Sequence, residues 1–373
     1  QSVNLNLGYR YSDYNTGKTT DTYKGAADWS FNDNIRIRAS LQRAVRAGNL
    51  RELFQPQGLN LFDMPVDPCG AGADGAAPAA TRDQCVNNTG LPSFLYGSDA
   101  LNSPANQYNF LQGGNPLLDP EESDTVSFGG IFSPTFIDGL TVSLDYYNIE
   151  VEKAIDPISP AFTLDQCLAL GTAEWCDQVN RDPVTGSLWL GTVGFVVGTN
   201  VNLGKLTREG VDVQVNYDFP IGSMGELNLN LVGLVLLTAD IQNVPGGPVS
   251  ECKGLWEGAT TDCQGIFPEW SHNLRTTWLT PWDVDVSLFW RYIDAVDDRG
   301  VNGANWDSYN YIDLAATWQI TDNTAFRIGV NNIFDEDPPF ASDVGNAPGN
   351  GNVFPGSYDS LGRYIFAGFS LEL

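Results

Sequence analysis

The segment VDVQVNYDF, at Val211–Phe219, decides the fold, because apolar and polar side chains alternate along it without a break. Val211, Val213, Val215, Tyr217 and Phe219 form the apolar set, and the residues between them are polar. A period of two predicts a β-strand with one apolar and one polar face. The same pattern recurs along most of the chain, whereas helical periodicity is weak and suggests a short helix only within Pro160–Val179.

The alternation predicts an all-β protein with twelve long strands. We place them at about residues 1–11, 22–31, 34–45, 122–132, 139–152, 195–219, 224–240, 269–280, 283–295, 308–320, 323–334 and 361–373. On one side the connections are short, at residues 31–34, 133–139, 220–225, 280–283 and 321–323. On the other they are long, at residues 46–121, 153–193, 241–269, 295–307 and 335–360. Short turns that alternate with long loops are typical of antiparallel transmembrane β-barrels.

Composition excludes several other classes. The chain of 373 residues carries 19 Lys+Arg against 46 Asp+Glu, a net charge of −27, which argues against a nucleic-acid partner. Hydrophobic residues make up 42% of the chain, too many for disorder. No apolar run approaches the roughly 18 residues that a membrane helix needs.

The six cysteines form three near-neighbour pairs in loop-like sequence: Cys69 and Cys85, Cys167 and Cys176, Cys252 and Cys263. Local pairing into three disulfides is the simplest interpretation, and it implies an oxidising compartment. Metal binding is the alternative, but the chain has no Cys-x-x-Cys and its single histidine is His272. We therefore predict no metal site.

Four motifs, in chain order, carry a family resemblance. They are GNPLLDPEESDTVSFGG (Gly114–Gly130), TREGVDVQVNYDF (Thr207–Phe219), FRIGVNNIFDEDPP (Phe326–Pro339) and YDSLGRYIFAGFSLEL (Tyr358–Leu373). Together they resemble the strand motifs of TonB-dependent outer-membrane receptors, ending with the terminal barrel strand. The likeness is close from about residue 110 onward and rests on the strand pattern before that.

The resemblance implies that residues 1–373 are the C-terminal portion of the receptor β-barrel, about twelve strands of a 22-strand barrel. Nothing in the sequence looks like the family's plug domain, so we expect the chain to be part of a longer receptor. The implied function is TonB-energised uptake of a scarce nutrient across the outer membrane of a Gram-negative bacterium. The implied partners are the TonB complex, reached through the missing N-terminal part, a small-molecule or oligosaccharide ligand, and outer-membrane lipid.

Candidate ligand contacts lie in the predicted external loops. Trp189, Trp256 and Trp306 offer rings that stack on a ligand, and Arg299 offers a cation for an anionic chelate. The alternative is that these tryptophans are simply the cores of their loops. The polar faces of the strands carry Arg36, Arg38, Asp145, Asp212, Asp218, Arg275 and Arg291. In this family such residues line the lumen, although a solvated pore wall fits them equally well.

No catalytic arrangement stands out in the sequence, so we predict neither enzymatic activity nor a cofactor. Two rival functions remain open at this stage. One is a passive outer-membrane porin or adhesin barrel, and the other is a secreted all-β domain that binds or hydrolyses glycans. The sequence also leaves the nutrient open between a siderophore, cobalamin and an oligosaccharide.

Overall fold

A computed structural model describes residues 1–72, 75–202, 204–243, 248–257, 263, 265–298, 305–340 and 353–372. Its strands are β1 (Ser2–Asp13), β2 (Thr19–Ser30), β3 (Ile35–Arg46), β4 (Gly58–Asp63), β5 (Gln107–Gln112), β6 (Glu121–Phe132), β7 (Leu140–Glu152), β8 (Ile155–Pro157), β9 (Val179–Asn180), β10 (Phe195–Val197), β11 (Asn200–Asn202), β12 (Lys205–Pro220), β13 (Glu226–Gln242), β14 (Ser250–Glu251), β15 (Leu255–Glu257), β16 (Gly265–Ile266), β17 (Trp270–Leu279), β18 (Val284–Ile293), β19 (Asp297–Asp298), β20 (Tyr309–Thr321), β21 (Thr324–Asn331) and β22 (Tyr364–Leu371). Its helices are α1 (Leu50–Phe54), α2 (Pro160–Leu170) and α3 (Ala173–Cys176). No helix in these ranges is long and apolar enough to cross a membrane.

Twelve long strands form one antiparallel sheet in the order β1-β2-β3-β6-β7-β12-β13-β17-β18-β20-β21-β22, with β14 added beside β13. Every strand on this path pairs with the next long strand along the chain, as tight turns and simple loops require. Across the described residues, β1 and β22 are the two edges of the sheet. The predicted all-β class, the twelve strands and the alternation of short and long connections are confirmed.

The strand register gives the sheet two chemically distinct faces. All seven residues predicted for the polar face lie on one side of the sheet. Arg38 lies directly opposite Gly129, Gly129 lies opposite Asp145, and Asp145 lies opposite Asp212. The same pairing continues across the later strands to Arg275 and Arg291. We call this side the polar face. The opposite side, here the apolar face, carries Leu288, Leu314 and Ile328, each 38–47% exposed. So much exposed apolar surface is suited to a lipid environment.

Aromatic side chains mark both ends of the apolar face. Trp318 lies opposite Val284 near a short turn, and His272 packs against Trp290 and Tyr292 near the long loops, with ring centroids 4.5 and 5.2 Å away. From Val284 to Tyr292 the strand rises roughly 26 Å, at ~3.3 Å per residue. That length, reduced by strand tilt, matches the ~25 Å apolar band of outer-membrane barrels with its aromatic girdles.

Two long loops fold together beyond the sheet as one unit, which we call the loop domain (residues 47–120 and 153–204). Its sheet has the order β4-β5-β10-β9, and the parallel pair β5–β10 joins one loop to the other. The disulfide Cys69–Cys85 lies in its buried core, and Cys167–Cys176 joins a buried cysteine of that core to a partly buried one. The pairing of β5 with β10 therefore fixes the two loops to one another.

The structure corrects several sequence predictions. The strand expected at 195–219 is divided: β10 and β11 belong to small loop sheets, and the long strand begins only at Lys205. The predicted helical stretch contains α2 and α3, separated by Gly171 in the left-handed conformation. Sequence inspection missed α1 and a short π-helical turn at Gln84–Asn88. Short elements of this kind depend on capping and a disulfide rather than on apolar periodicity.

Candidate functional site

A cavity of about 1000 Å³ lies on the polar face at the long-loop ends of the strands. Its walls come from β7, β12, β13, β17, β18 and β20, and its roof comes from two loops. The lining residues are Tyr147, Ile149, Arg208, Asp212, Val232, Gly233, Leu234, Leu236, Ile266, Phe267, Pro268, Ser271, His272, Asn273, Arg291, Tyr292, Ile293, Tyr311, Gly356 and Ser357. A mostly apolar cavity with a few charged groups is the usual form of a small-molecule site.

Arg208 is the cavity cation whose charge is not matched by a carboxylate partner in the described chain. Its guanidinium donates to the main-chain oxygens of Thr207 at 2.9 Å and Asp240 at 3.2 Å. It also lies 5.0 Å from the ring centroid of Phe267 in the roof. These contacts hold the guanidinium in place and leave it able to bind an oxygen atom of a ligand.

Asp212 stands on the same wall as Arg208, four residues further along β12. It is exposed to the cavity, and among the described residues it makes no ion pair. The site therefore presents one cation and one carboxylate to an incoming molecule. Tyr147 is packed closely over Gly210 between them, where a Cβ would lie 2.6 Å from the Tyr147 hydroxyl.

Arg291, by contrast, already has carboxylate partners. Its guanidinium binds both carboxylate oxygens of Asp359 at 2.8 and 2.6 Å and approaches Asp313 at 3.3 Å. The guanidinium also lies 4.9 Å from the centroid of Tyr311. Because Asp359 belongs to the loop between β21 and β22, this ion pair ties that loop to the cavity wall.

An aromatic cluster holds the roof loops together. Trp256 and Trp306 stack with ring centroids 4.0 Å apart, and Tyr358 packs edge-on against Trp306 at 5.8 Å. Burial raises the pKa of the Tyr358 phenol, which keeps it neutral. The cluster thus joins three separate external loops, and the disulfide Cys252–Cys263 closes one of them.

The predicted ligand residues are placed differently from what their sequence positions suggested. Trp256 and Trp306 are only 3% and 6% exposed, so each ring covers the other instead of facing the cavity. Trp189 packs partly buried against the core of the loop domain. All three match the alternative interpretation as loop cores, and their ligand role stays a prediction that would require the loops to open. Arg299 lies outside the described residues.

Other sequence interpretations have clear outcomes. The three disulfides pair as expected from the spacing of the cysteines. At the start of β6, Glu121 and Glu122 form ion pairs with Arg46 and Lys153. Within the described ranges, no group of three or more His, Cys, Asp or Glu side chains is placed to hold a metal ion.

Sequence reasoning missed Arg208, Tyr147, Phe267 and Tyr311 as cavity residues. The alternation along β12 carries the signal for Arg208, because Arg208 and Asp212 are four positions apart and therefore share a face. The pairing of β12 with β7 is continuous over this stretch, and the bulge between Glu209 and Gly210 affects only the pairing with β13. No comparable signal exists for Phe267, since its position depends on how a loop folds back over the sheet.

Comparison with protein families gives one match: the family of TonB dependent receptor-like β-barrels, over residues 1–333. No curated protein matches the chain.

Solved structures resemble the chain in fold at low sequence identity. The ferric enterobactin receptor PfeA from Pseudomonas aeruginosa superposes with a TM-score of 0.62 at 14% identity, covering 99% of this chain and 42% of that one. The siderophore receptor PirA from Acinetobacter baumannii gives 0.61 at 15% identity, covering 99% and 43%. The iron transporter FrpB from Neisseria meningitidis gives 0.50 at 11% identity, covering 100% and 43%. The chain thus spans about two fifths of the length of these proteins.

Proposed function

The chain belongs to the TonB-dependent receptor β-barrel family, and from that premise we propose that it captures a scarce nutrient for TonB-energised uptake across the outer membrane of a Gram-negative bacterium. The family match over residues 1–333 carries this proposal. The apolar face, its aromatic ends and the roofed cavity support it. In this proposal the protein is a receptor and transporter that makes and breaks no covalent bond.

We further propose that residues 1–373 are the C-terminal portion of the receptor barrel. The coverage of the similar receptors supports this view, because the chain matches only 42–43% of their length. Additional strands of the same receptor would close the barrel. The plug and the segment that contacts TonB would come from that additional part.

For the nutrient, we propose an iron chelate before cobalamin or an oligosaccharide. The similar structures are receptors named for enterobactin, siderophores and iron, which supports this order. Arg208, placed over Phe267, would bind an oxygen atom of the chelate, and the apolar walls would contact its organic part. Arg291 already forms ion pairs with Asp359 and Asp313, so we assign it to holding the roof loop in place and not to ligand binding.

The test uses the full-length receptor in a strain that lacks its own copy. Cells expressing wild type, Arg208→Gln or Lys205→Gln are incubated with radiolabelled ferric chelates, cobalamin and oligosaccharides. Loss of a charge-assisted hydrogen bond costs ~1.5–3 kcal/mol, so Arg208→Gln should bind the cognate ligand about 10–150-fold more weakly. Lys205 lies nearby but pairs with Glu150 away from the cavity, so Lys205→Gln should bind normally.

Surface binding should persist without TonB, whereas accumulation inside the cell should stop. Equal affinities for the two variants would contradict the cavity assignment while leaving uptake intact. Accumulation that does not depend on TonB would contradict the proposed function and favour a passive pore.

A further inference from the structure

The cavity over β12 contains a carboxylate that the proposed ligand contacts leave unused. Asp212 is exposed to the cavity, lies directly opposite Asp145 on β7 and makes no ion pair among the described residues. Asp145 itself is satisfied, because its carboxylate accepts hydrogen bonds from Arg38 and from the Ser143 hydroxyl. Like charges directly opposite one another destabilise a sheet, so the unpaired Asp212 has an electrostatic cost that a cationic ligand group would offset.

The strand register places Asp212 and Arg208 on the same wall of the cavity with a fixed separation. They are four positions apart on β12, which corresponds to ~13 Å between their Cα atoms. Tyr147 lies over Gly210, midway between them, where a Cβ would come within 2.6 Å of the tyrosine hydroxyl oxygen. The two charged groups are therefore held apart and can bind different parts of one ligand.

The charges around the cavity limit what can bind there. Arg291 lines the wall but already pairs with Asp313 and Asp359, so these three side chains together carry an excess negative charge. With Arg208 and Asp212 added, the charged side chains described at the cavity comprise two guanidiniums and three carboxylates. The chain as a whole has a net charge of −27, which adds to the repulsion of anions.

These charges distinguish between classes of ferric chelate. A ferric tris-catecholate is a trianion, whereas a ferric tris-hydroxamate is neutral and becomes a cation when it carries a protonated amine. The trianion would find Arg208 but would be repelled by Asp212. The amine-bearing chelate would place hydroxamate or amide oxygens at Arg208 and its ammonium group at Asp212. The second class therefore uses both groups.

We propose that the cavity selects a ferric chelate with a neutral iron centre and a protonated amine, and that Asp212 binds this amine. The inference rests on the proposed function, because it names the chemical class of the nutrient within the iron chelates. Asp212 determines specificity in two ways: it accepts a charge-assisted hydrogen bond from the ammonium group, and it repels polyanionic chelates.

The experiment measures binding of chelates of radiolabelled iron to cells that express the full-length receptor and lack their own copy. The probes are ferrioxamine B, a tris-hydroxamate with one free amine, its N-acetyl derivative, in which that amine is neutral, and ferric enterobactin, a tris-catecholate. Wild type should bind ferrioxamine B about tenfold more tightly than the N-acetyl derivative, which is the effect of one charge-assisted hydrogen bond. Ferric enterobactin should bind more weakly than either.

Asp212→Asn conserves shape and removes the charge. This variant should bind the two ferrioxamines with equal affinity and should bind ferric enterobactin more tightly than wild type does. The opposite signs separate a local charge effect from damage to the cavity, because a damaged cavity would bind every probe more weakly.

The matched control is Asp218→Asn, which makes the same change in net charge. Asp218 lies on the same face of β12, six positions further towards the short turn. It accepts a hydrogen bond from Asn228 at 2.8 Å and does not line the cavity. The control should therefore bind all three probes as wild type does.

Heat-modifiability on a gel verifies that each variant is folded, and wild type alone tests the proposal through the two ferrioxamines. Equal binding of these two by wild type would overturn the proposal, as would tighter binding of ferric enterobactin. The same response to Asp218→Asn would also overturn it, because the effect would then come from the net charge of the receptor. Accumulation that still depends on TonB would leave the proposed function intact in each case, whereas failure to bind any of the three chelates would overturn the proposed choice of nutrient as well.

Discussion

Replacing Arg181 by methionine tests how the loop domain is held together. Arg181 and Asp67 come from different loops, and their side chains are only 1% and 0% exposed. The guanidinium binds both carboxylate oxygens at 2.7 and 2.8 Å and also donates to the Thr89 hydroxyl at 2.9 Å and the Gly186 carbonyl at 3.0 Å. Asp67 additionally accepts from the backbone N–H of Cys69.

Arg181→Met leaves the Asp67 carboxylate buried without its countercharge. Breaking a buried ion pair from one side costs about 3–5 kcal/mol, because the remaining charge stays desolvated. In the double variant Arg181→Met/Asp67→Asn the buried charge is gone and an acceptor for Cys69 remains, so the cost should fall to roughly 1–3 kcal/mol. The double variant should therefore be more stable than the single one.

Hydrogen exchange of the full-length protein measures this effect as the local opening free energy of residues 47–120 and 153–204. Lys253→Met is the control, because the Lys253–Glu269 pair is exposed and should contribute less than about 1 kcal/mol. If Arg181→Met opens the loop domain no more than Lys253→Met does, the buried pair is not what joins the two loops.

Three further predictions concern the sheet and the loops. Leu314→Arg on the apolar face should cost ~2–4 kcal/mol of barrel stability in lipid vesicles, and Thr317→Arg on the polar face much less; equal costs would contradict the lipid-facing assignment. Gly129→Ala should cost about 1–3 kcal/mol, since its Cβ would lie 2.0 Å from the Asp145 carboxylate that binds Arg38, whereas Gly368→Ala, with open space around it, should be tolerated in the same unfolding assay. Peptide mapping without reduction should recover each disulfide within its own loop, and a crosslink between loops would refute the pairing in the structure.

The sequence predicted the main sheet well because each long strand carries its own information. Alternation along Val211–Phe219 assigns every side chain to a face, and a shift of one residue would place all of them on the wrong side. For that reason the seven polar-face residues, from Arg36 to Arg291, were assigned correctly without any knowledge of the register. Cysteine spacing likewise predicted the disulfides, since nearby cysteines within one loop meet easily.

Only the tertiary structure decided what the loops do. Whether Trp256 faces a ligand or stacks on Trp306 depends on three loops meeting, and no periodicity links residues that far apart in the chain. The pairing of Arg181 with Asp67, and of Arg291 with Asp359, likewise joins segments separated by many residues. Strand alternation is a local property of the chain, whereas the cavity, its roof and the loop domain arise from long-range contacts whose geometry is fixed only when the whole sheet has formed.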